Sequence, residues 1–192
     1  MKSRFILFFA LTITTSIMAQ KKGTYYNIPE APKEYTAATV SSRMLDGLGF
    51  RYYWASYGLT EKDLTFKPSS EARTSLETLK HIYDLTTVIL NSVIGKPNTG
   101  QKWPEMTFTE LRKATLLNIE KASNILRNSK DVSKYNIVFK RGENTSQLPF
   151  WNQINGPISD ALWHVGQVVT FRRSSGNPLP KGVNVLTGTK ND

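Results

Sequence analysis

Cysteine occurs nowhere in the 192-residue sequence. Its absence excludes disulfides, thiolate metal sites and a cysteine nucleophile, and it leaves stability to the packed core alone. Histidine is almost as scarce, with only His81 and His164, so any imidazole chemistry must use one or both. Beyond the amino-terminal segment, no stretch stays apolar for the roughly 20 residues that a membrane-spanning helix needs. Internal repeats, low-complexity tracts and a nucleophile-elbow motif are absent too, which argues against a solenoid, a disordered chain and an α/β-hydrolase triad.

Charge is one-sided. Twenty-five Lys and Arg against 15 Asp and Glu give a formal net charge of +10, a balance that raises the question of a nucleic-acid or anionic partner. The cations are scattered, however: Lys62, Lys67, Arg112, Lys113, Lys121, Lys130, Lys140 and Arg141 form no long run. Arg172-Arg173 fall at a predicted helix carboxyl end, where cations offset exposed carbonyls. The expectation is a solvated basic surface with no nucleic-acid partner. At the amino terminus, Lys2 and Arg4 precede the short apolar run Phe5 to Ile13, and small and polar residues lead to Ala19-Gln20. That pattern predicts a secretory signal over residues 1–19 with cleavage after Ala19. No cysteine stands at the cut to take a lipid. The mature protein is expected to be exported, periplasmic or extracellular, with no stable membrane insertion. Asn144-Thr145-Ser146 matches a glycosylation acceptor, a weak pattern.

Residues 20–34, with Pro29 and Pro32, read as an extended lead-in, and residues 35–192 as one domain. Helical periodicity runs from Tyr35 to about Tyr57, weakened by Gly47 and Gly49. Leu59 to Pro68 read as a connection. Thr74-Ser75-Leu76-Glu77 and Thr107-Phe108-Thr109-Glu110 are capping boxes, opening a second helix that stops at Gly95-Lys96-Pro97 and a third that runs to about Ser129. Tyr135 to Phe139 suits a short extended segment, and Gly142 to Ser146 a turn. A fourth helix starts at Pro157, which suits a first turn, and ends at Ser175-Gly176-Asn177-Pro178. The tail from Leu179 looks irregular. Four amphipathic helices with modest connections predict an all-α four-helix bundle.

The two histidines fall mid-helix on elements that such a bundle brings side by side. On the fourth helix Asp160, His164, Gln167 and Phe171 share an arc of about 60°. Ile158, Ala161, Leu162, Val165, Val168 and Val169 occupy an adjacent arc of about 120°. The Asp/His stripe therefore flanks the core seam. A carboxylate four residues before a histidine, joined by a histidine from a facing helix, makes a two-histidine, one-carboxylate set of His81, Asp160 and His164. Three such ligands leave positions open for water or substrate, and zinc, nickel, iron(II) or manganese all tolerate them. The plain alternative is that each histidine is a packed, hydrogen-bonded side chain and Asp160–His164 an intrahelical pair. Gln167 is a candidate to orient a ligand from behind. Asp84, one turn after His81, suits a surface acid better than a ligand, and Trp54, Trp151 and Trp163 suit aromatic core packing.

Leu59-Thr60-Glu61-Lys62-Asp63-Leu64, Lys67-Pro68 and Ser75 to Ile82 resemble the start of the second helix in the DinB/YfiT-like superfamily. Asp160-Ala161-Leu162-Trp163-His164-Val165-Gly166-Gln167 resembles its fourth-helix motif, where two histidines four apart usually precede a glycine-glutamine pair. The resemblance covers roughly residues 36–176. It implies a four-helix bundle, often dimeric, that holds a divalent metal in a pocket. Characterised members act on small molecules as thiol-dependent transferases and an isomerase. Carried over by position, His81 and His164 match two ligands, while Asp160 stands where the family commonly has a third histidine. The reading that follows is a metal-dependent hydrolase or transferase with a small-molecule substrate. Its alternative is a non-catalytic exported helical-bundle binding protein that has lost its metal.

Overall fold

The structure, a computed structural model, describes residues 23–100 and 104–191. The expected secretory signal over residues 1–19 lies outside the described residues. Helix dominates. Four long helices, α1 (Ala37–Ala55), α3 (Ser75–Val93), α4 (Phe108–Arg127) and α6 (Ser159–Ser174), are joined by the short α2 (Glu61–Thr65) and α5 (Trp151–Gln153). Helices α1 and α3 each pack against both α4 and α6. Leu45 and Phe50 of α1, Leu79 and Ile82 of α3, Ile119 of α4 and Ala161 of α6 are fully buried where these helices meet. Each large aliphatic or aromatic side chain so buried contributes about 1.5–3 kcal/mol before the entropy of ordering it. Among the described residues, no helix is long and apolar enough to cross a membrane.

Both expected capping boxes form. Thr74 Oγ1 accepts from the Glu77 amide at 3.1 Å while Glu77 Oε2 accepts from the Thr74 amide at 2.7 Å. Thr107 and Glu110 repeat the exchange at 3.3 and 2.9 Å. These reciprocal bonds satisfy amide groups that a helix start leaves unpaired. They also hold both glutamate carboxyls below their usual range.

The all-helical expectation needs correction, because two antiparallel hairpins are present. In the first, β1 (Ile137–Arg141) pairs with β2 (Asn144–Leu148), from Ile137 opposite Leu148 to Arg141 opposite Asn144. The turn expected over 142–146 shrinks to Gly142-Glu143, with Gly142 at φ 59°, a left-handed conformation that glycine adopts without strain. Asn98 ties β1 to the loop after α3, its amide donating to Val138 O at 2.7 Å and its carbonyl accepting from Lys140 N at 2.8 Å. In the second, β3 (Val183–Asn184) pairs with β4 (Thr189–Lys190), so the tail is ordered rather than irregular. It lies against the segment before α1: Ile28 N donates to Gly188 O at 2.8 Å and Lys190 N to Asn27 Oδ1 at 2.9 Å.

Connections and ends differ from the sequence reading in three further ways. The stretch read as a connection contains α2, because Asp63 accepts from the Thr60 amide and hydroxyl at 2.8 Å and from Asn177 Nδ2 at 2.7 Å. The fourth long helix does not begin at Pro157. A wide π-type turn over Ile154–Ile158 precedes α6, with Gly156 off the helical conformation at ψ −110°. Proline lacks an amide hydrogen and crowds the carbonyl four residues earlier, so the chain bends before the regular helix starts. Arg172, finally, does not simply face solvent at the helix end. It is 2% exposed and donates to Trp54 O at 2.8 Å, Ala55 O at 3.1 Å and Asn177 O at 2.7 Å. It thereby joins the last carbonyls of α1 to the end of α6.

The two glycines that weaken the α1 pattern include one with a packing reason. A Cβ at Gly49 would lie 2.6 Å from the Tyr25 ring. Tyr25 is buried there, with its hydroxyl 3.4 Å from Asp46 Oδ1. Burial, followed by the Asp46 charge, pushes that phenol well above its ordinary range. Asp46 also accepts from Ser123 Oγ at 2.6 Å and pairs with Arg127. This polar cluster links the amino-terminal segment, α1 and α4.

Candidate metal centre

Helix α6 begins just past the bend, with Asp160 in its first turn, where a carboxylate is stabilised by the helix dipole. One turn later His164 shares its face, and the α3–α6 contact brings His81 opposite. Asp160 lies between the two histidines. Its Oδ2 is 3.4 Å from His81 Nε2 and its Oδ1 is 3.3 Å from His164 Nε2. The imidazole rings meet edge to face with centroids 4.7 Å apart. One ligand atom from each of the three residues falls within 4.8 Å of the others, so the group can hold a metal ion. The three residues singled out from sequence are the three that converge.

Two features are compatible with a cation at this group. The carboxylate-to-nitrogen distances exceed the 2.7–2.9 Å of a charge-assisted N–H···O bond. They fall within the roughly 2.9–3.5 Å that separates neighbouring ligands around an ion bound at 2.0–2.2 Å. The second feature is Gln167, one turn beyond His164, whose Oε1 lies 2.7 Å from His164 Nδ1. With the amide oxygen accepting, Nδ1 carries the hydrogen and Nε2 turns its lone pair toward Asp160, as a metal-binding imidazole requires. His81 is biased the same way. Burial, then the neighbouring His164 and Arg73, lower its pKa despite Asp160, which favours the neutral, ligating form.

The centre is shallow. The side chains of His81, Asp160 and His164 are 31%, 43% and 13% exposed, so a small molecule can reach them. Phe171, on the same stripe, does not join the centre but packs against Phe66, ring centroids 5.9 Å apart. Asp84 is exposed, as a surface acid. The expectation of aromatic core packing holds for Trp54, which is 3% exposed, and fails for Trp151 and Trp163, which are 76% and 72% exposed. Trp163 stands three residues from Asp160 on α6, with its side chain largely exposed. Its wheel position, outside the apolar arc, carried that information. Arg73, which stands just before the cap of α3 and about two turns ahead of His81, was missed.

No family model, no curated protein and no solved structure matches this chain. What can be said of the class therefore rests on fold and site: a mostly helical protein with a His81–Asp160–His164 group suited to a metal ion.

Proposed function

We propose that this protein is a divalent-metal-dependent enzyme of the DinB/YfiT-like four-helix-bundle type, exported from the cytoplasm and acting on a small molecule. The observation that carries the proposal is the convergence of His81, Asp160 and His164 with Gln167 bonded behind one of the imidazoles. The packing of α1, α3, α4 and α6 on one another agrees with the bundle architecture. Zinc, nickel, iron(II) and manganese are the candidate ions. Such an ion supplies Lewis acidity, lowering the pKa of a bound water or thiol or polarising a substrate oxygen. Around it, His81 and His164 contribute neutral nitrogen donors and Asp160 the compensating negative charge. Gln167 fixes the His164 ring, and the exposed indole of Trp163 offers a face for substrate. The homodimer common in the family belongs to the same proposal, with exposed Trp151 as a surface for it to cover. Low-molecular-weight thiols work mainly in the reducing cytoplasm, so export points away from a thiol-dependent transfer.

A second reading has one observation in its favour. A cleft of about 710 Å³ lies on the far side of α6, and none of the three residues lines it. That arrangement suits a non-catalytic binding protein which kept the bundle after losing the metal. Elemental analysis separates the two. The mature protein, purified without a histidine tag, should carry close to one metal ion per chain, lost in both Asp160→Ala and His164→Ala. A metal-free parent after supplementation with all four ions would discard the enzyme reading.

A further inference from the structure

The cleft on the far side of α6 has a chemistry of its own. It encloses about 710 Å³, within the range of about 300–1,000 Å³ typical of small-molecule sites. Helices α1 and α6 form two walls and the carboxyl-terminal tail a third. Met44, Trp54, Leu162, Val169, Leu179 and Val183 supply apolar surface. The Trp54 indole nitrogen already donates to Tyr26 O at 3.1 Å, so the ring presents carbon to the cleft. Every charged side chain among its lining residues is an arginine: Arg43, Arg51 and Arg173.

Those arginines have no acidic partner among the described residues. Among the described residues the ion pairs are His81–Asp160, His164–Asp160 and Arg127–Asp46, and none involves the cleft. Two are positioned by backbone carbonyls instead. Arg43 Nη1 donates to Pro29 O at 2.6 Å, while Arg51 donates to Gly47 O at 3.2 Å and to Val185 O at 3.3 Å. A carbonyl orients a guanidinium without neutralising it, so the positive charge remains for something else. Space is kept for it as well: a Cβ at Gly166, on the cleft wall, would meet nothing within 4 Å.

We propose that this cleft binds a single-chain amphipathic anion, a medium-length aliphatic carboxylate in the simplest case, with its chain on the apolar walls and its head among the three arginines. On the α6 wheel, Leu162, Gly166, Val169 and Arg173 lie roughly opposite Asp160, His164 and Gln167. The site is thus separate from the metal centre and independent of it.

Decanoate, below its micellar concentration, is the probe, titrated calorimetrically into the mature protein. Decanoate should bind with a submillimolar Kd, and decanol and decyltrimethylammonium at least tenfold more weakly. Arg173→Gln, which breaks no bond of the fold, should weaken decanoate about tenfold, the loss of one charge-assisted hydrogen bond. Gly166→Leu, which fills the cleft and improves helix propensity by roughly 1 kcal/mol, should abolish binding while the protein stays folded. His164→Ala should bind as the parent does. Equal affinity for decanol, or an unchanged Kd in either cleft variant, would overturn the proposal. So would adsorption to phosphatidylglycerol vesicles without binding of free decanoate, which would assign the arginines to a membrane surface.

Discussion

Replacing Gln167 with leucine tests how the proposed metal centre is held. In the structure the Gln167 side chain makes one polar contact, its Oε1 to His164 Nδ1 at 2.7 Å. Leucine is of similar length and a good helix former, so the change deletes that contact with little effect on α6. Stability should stay within about 0.5 kcal/mol of the parent, as for other substitutions away from the core. Without the acceptor, His164 is free to place its hydrogen on Nε2, which then cannot ligate, and to turn about its side-chain torsions. Loss of such an outer partner weakens metal binding about 10–100-fold, which is about 1.4–2.7 kcal/mol. Competition of the apo protein with a chelating zinc dye reads that change directly. Gln167→Glu retains an acceptor for Nδ1 and should bind at least as tightly as the parent. If Gln167→Leu stays within twofold while His164→Ala loses the metal, the ring is held by packing and the role given to Gln167 is wrong.

Three further outcomes follow from the fold. Arg172→Met removes a buried guanidinium that serves carbonyls of α1 and the tail, and it should cost about 3–5 kcal/mol in guanidinium unfolding; a cost below about 1 kcal/mol would mean that water replaces those bonds. Gly49→Ala should destabilise in a thermal melt although alanine gains roughly 1 kcal/mol of helix propensity, because its Cβ must displace the buried Tyr25 ring; a rise in Tm would show that the amino-terminal segment gives way freely. Burial raises the Asp63 carboxyl, but bonds from Ser175, Asn177 and Thr60 outweigh it and hold the group well below the usual range. A folded-state pKa below the unfolded value of about 3.9 adds stability that is complete above that pH and lost as the pH falls below it. The stability gap between parent and Asp63→Asn should therefore narrow from pH 6 to pH 3, and a gap that does not change with pH would refute the assignment.

What the sequence disclosed was local. The Thr74 and Thr107 caps act over three residues and form as read, because the bonds that make them lie inside their own turns. The Asp160–His164 pair was legible for the same reason, and His81 because a protein with two histidines offers few other partners. What escaped depends on distant chain. Helix α2 is a five-residue element stabilised through Asp63 by Asn177, more than a hundred residues away. Arg172 sits on the helical wheel between Ala161 and Val165, inside the core arc, so a buried role was readable there. The helix-end explanation of adjacent cations hid it. The cleft escaped entirely, since one of its walls is the tail, and nothing local shows that Val183 and Val185 return to α1.

Asp160 is the residue in which this centre departs from the pattern it resembles, and the departure has a chemical direction. In the proposed centre, two neutral imidazoles and one carboxylate would leave a divalent ion with a net charge of +1, against +2 for three imidazoles. Such an ion would be a weaker Lewis acid, and a water on it less acidic. A carboxylate oxygen is also a harder donor than a nitrogen, which moves preference toward manganese and iron(II) and away from zinc and nickel. Asp160 is 43% exposed on its side chain, so solvent softens the charge argument more than it softens the donor argument. Asp160→His should thus raise the zinc-to-manganese occupancy ratio when apo protein is loaded from an equimolar mixture of the four ions. Elemental analysis of the loaded protein measures that ratio. An unchanged ratio in protein that binds metal would show that Asp160 does not coordinate, leaving the two histidines to hold the ion with Asp160 as their hydrogen-bonding neighbour.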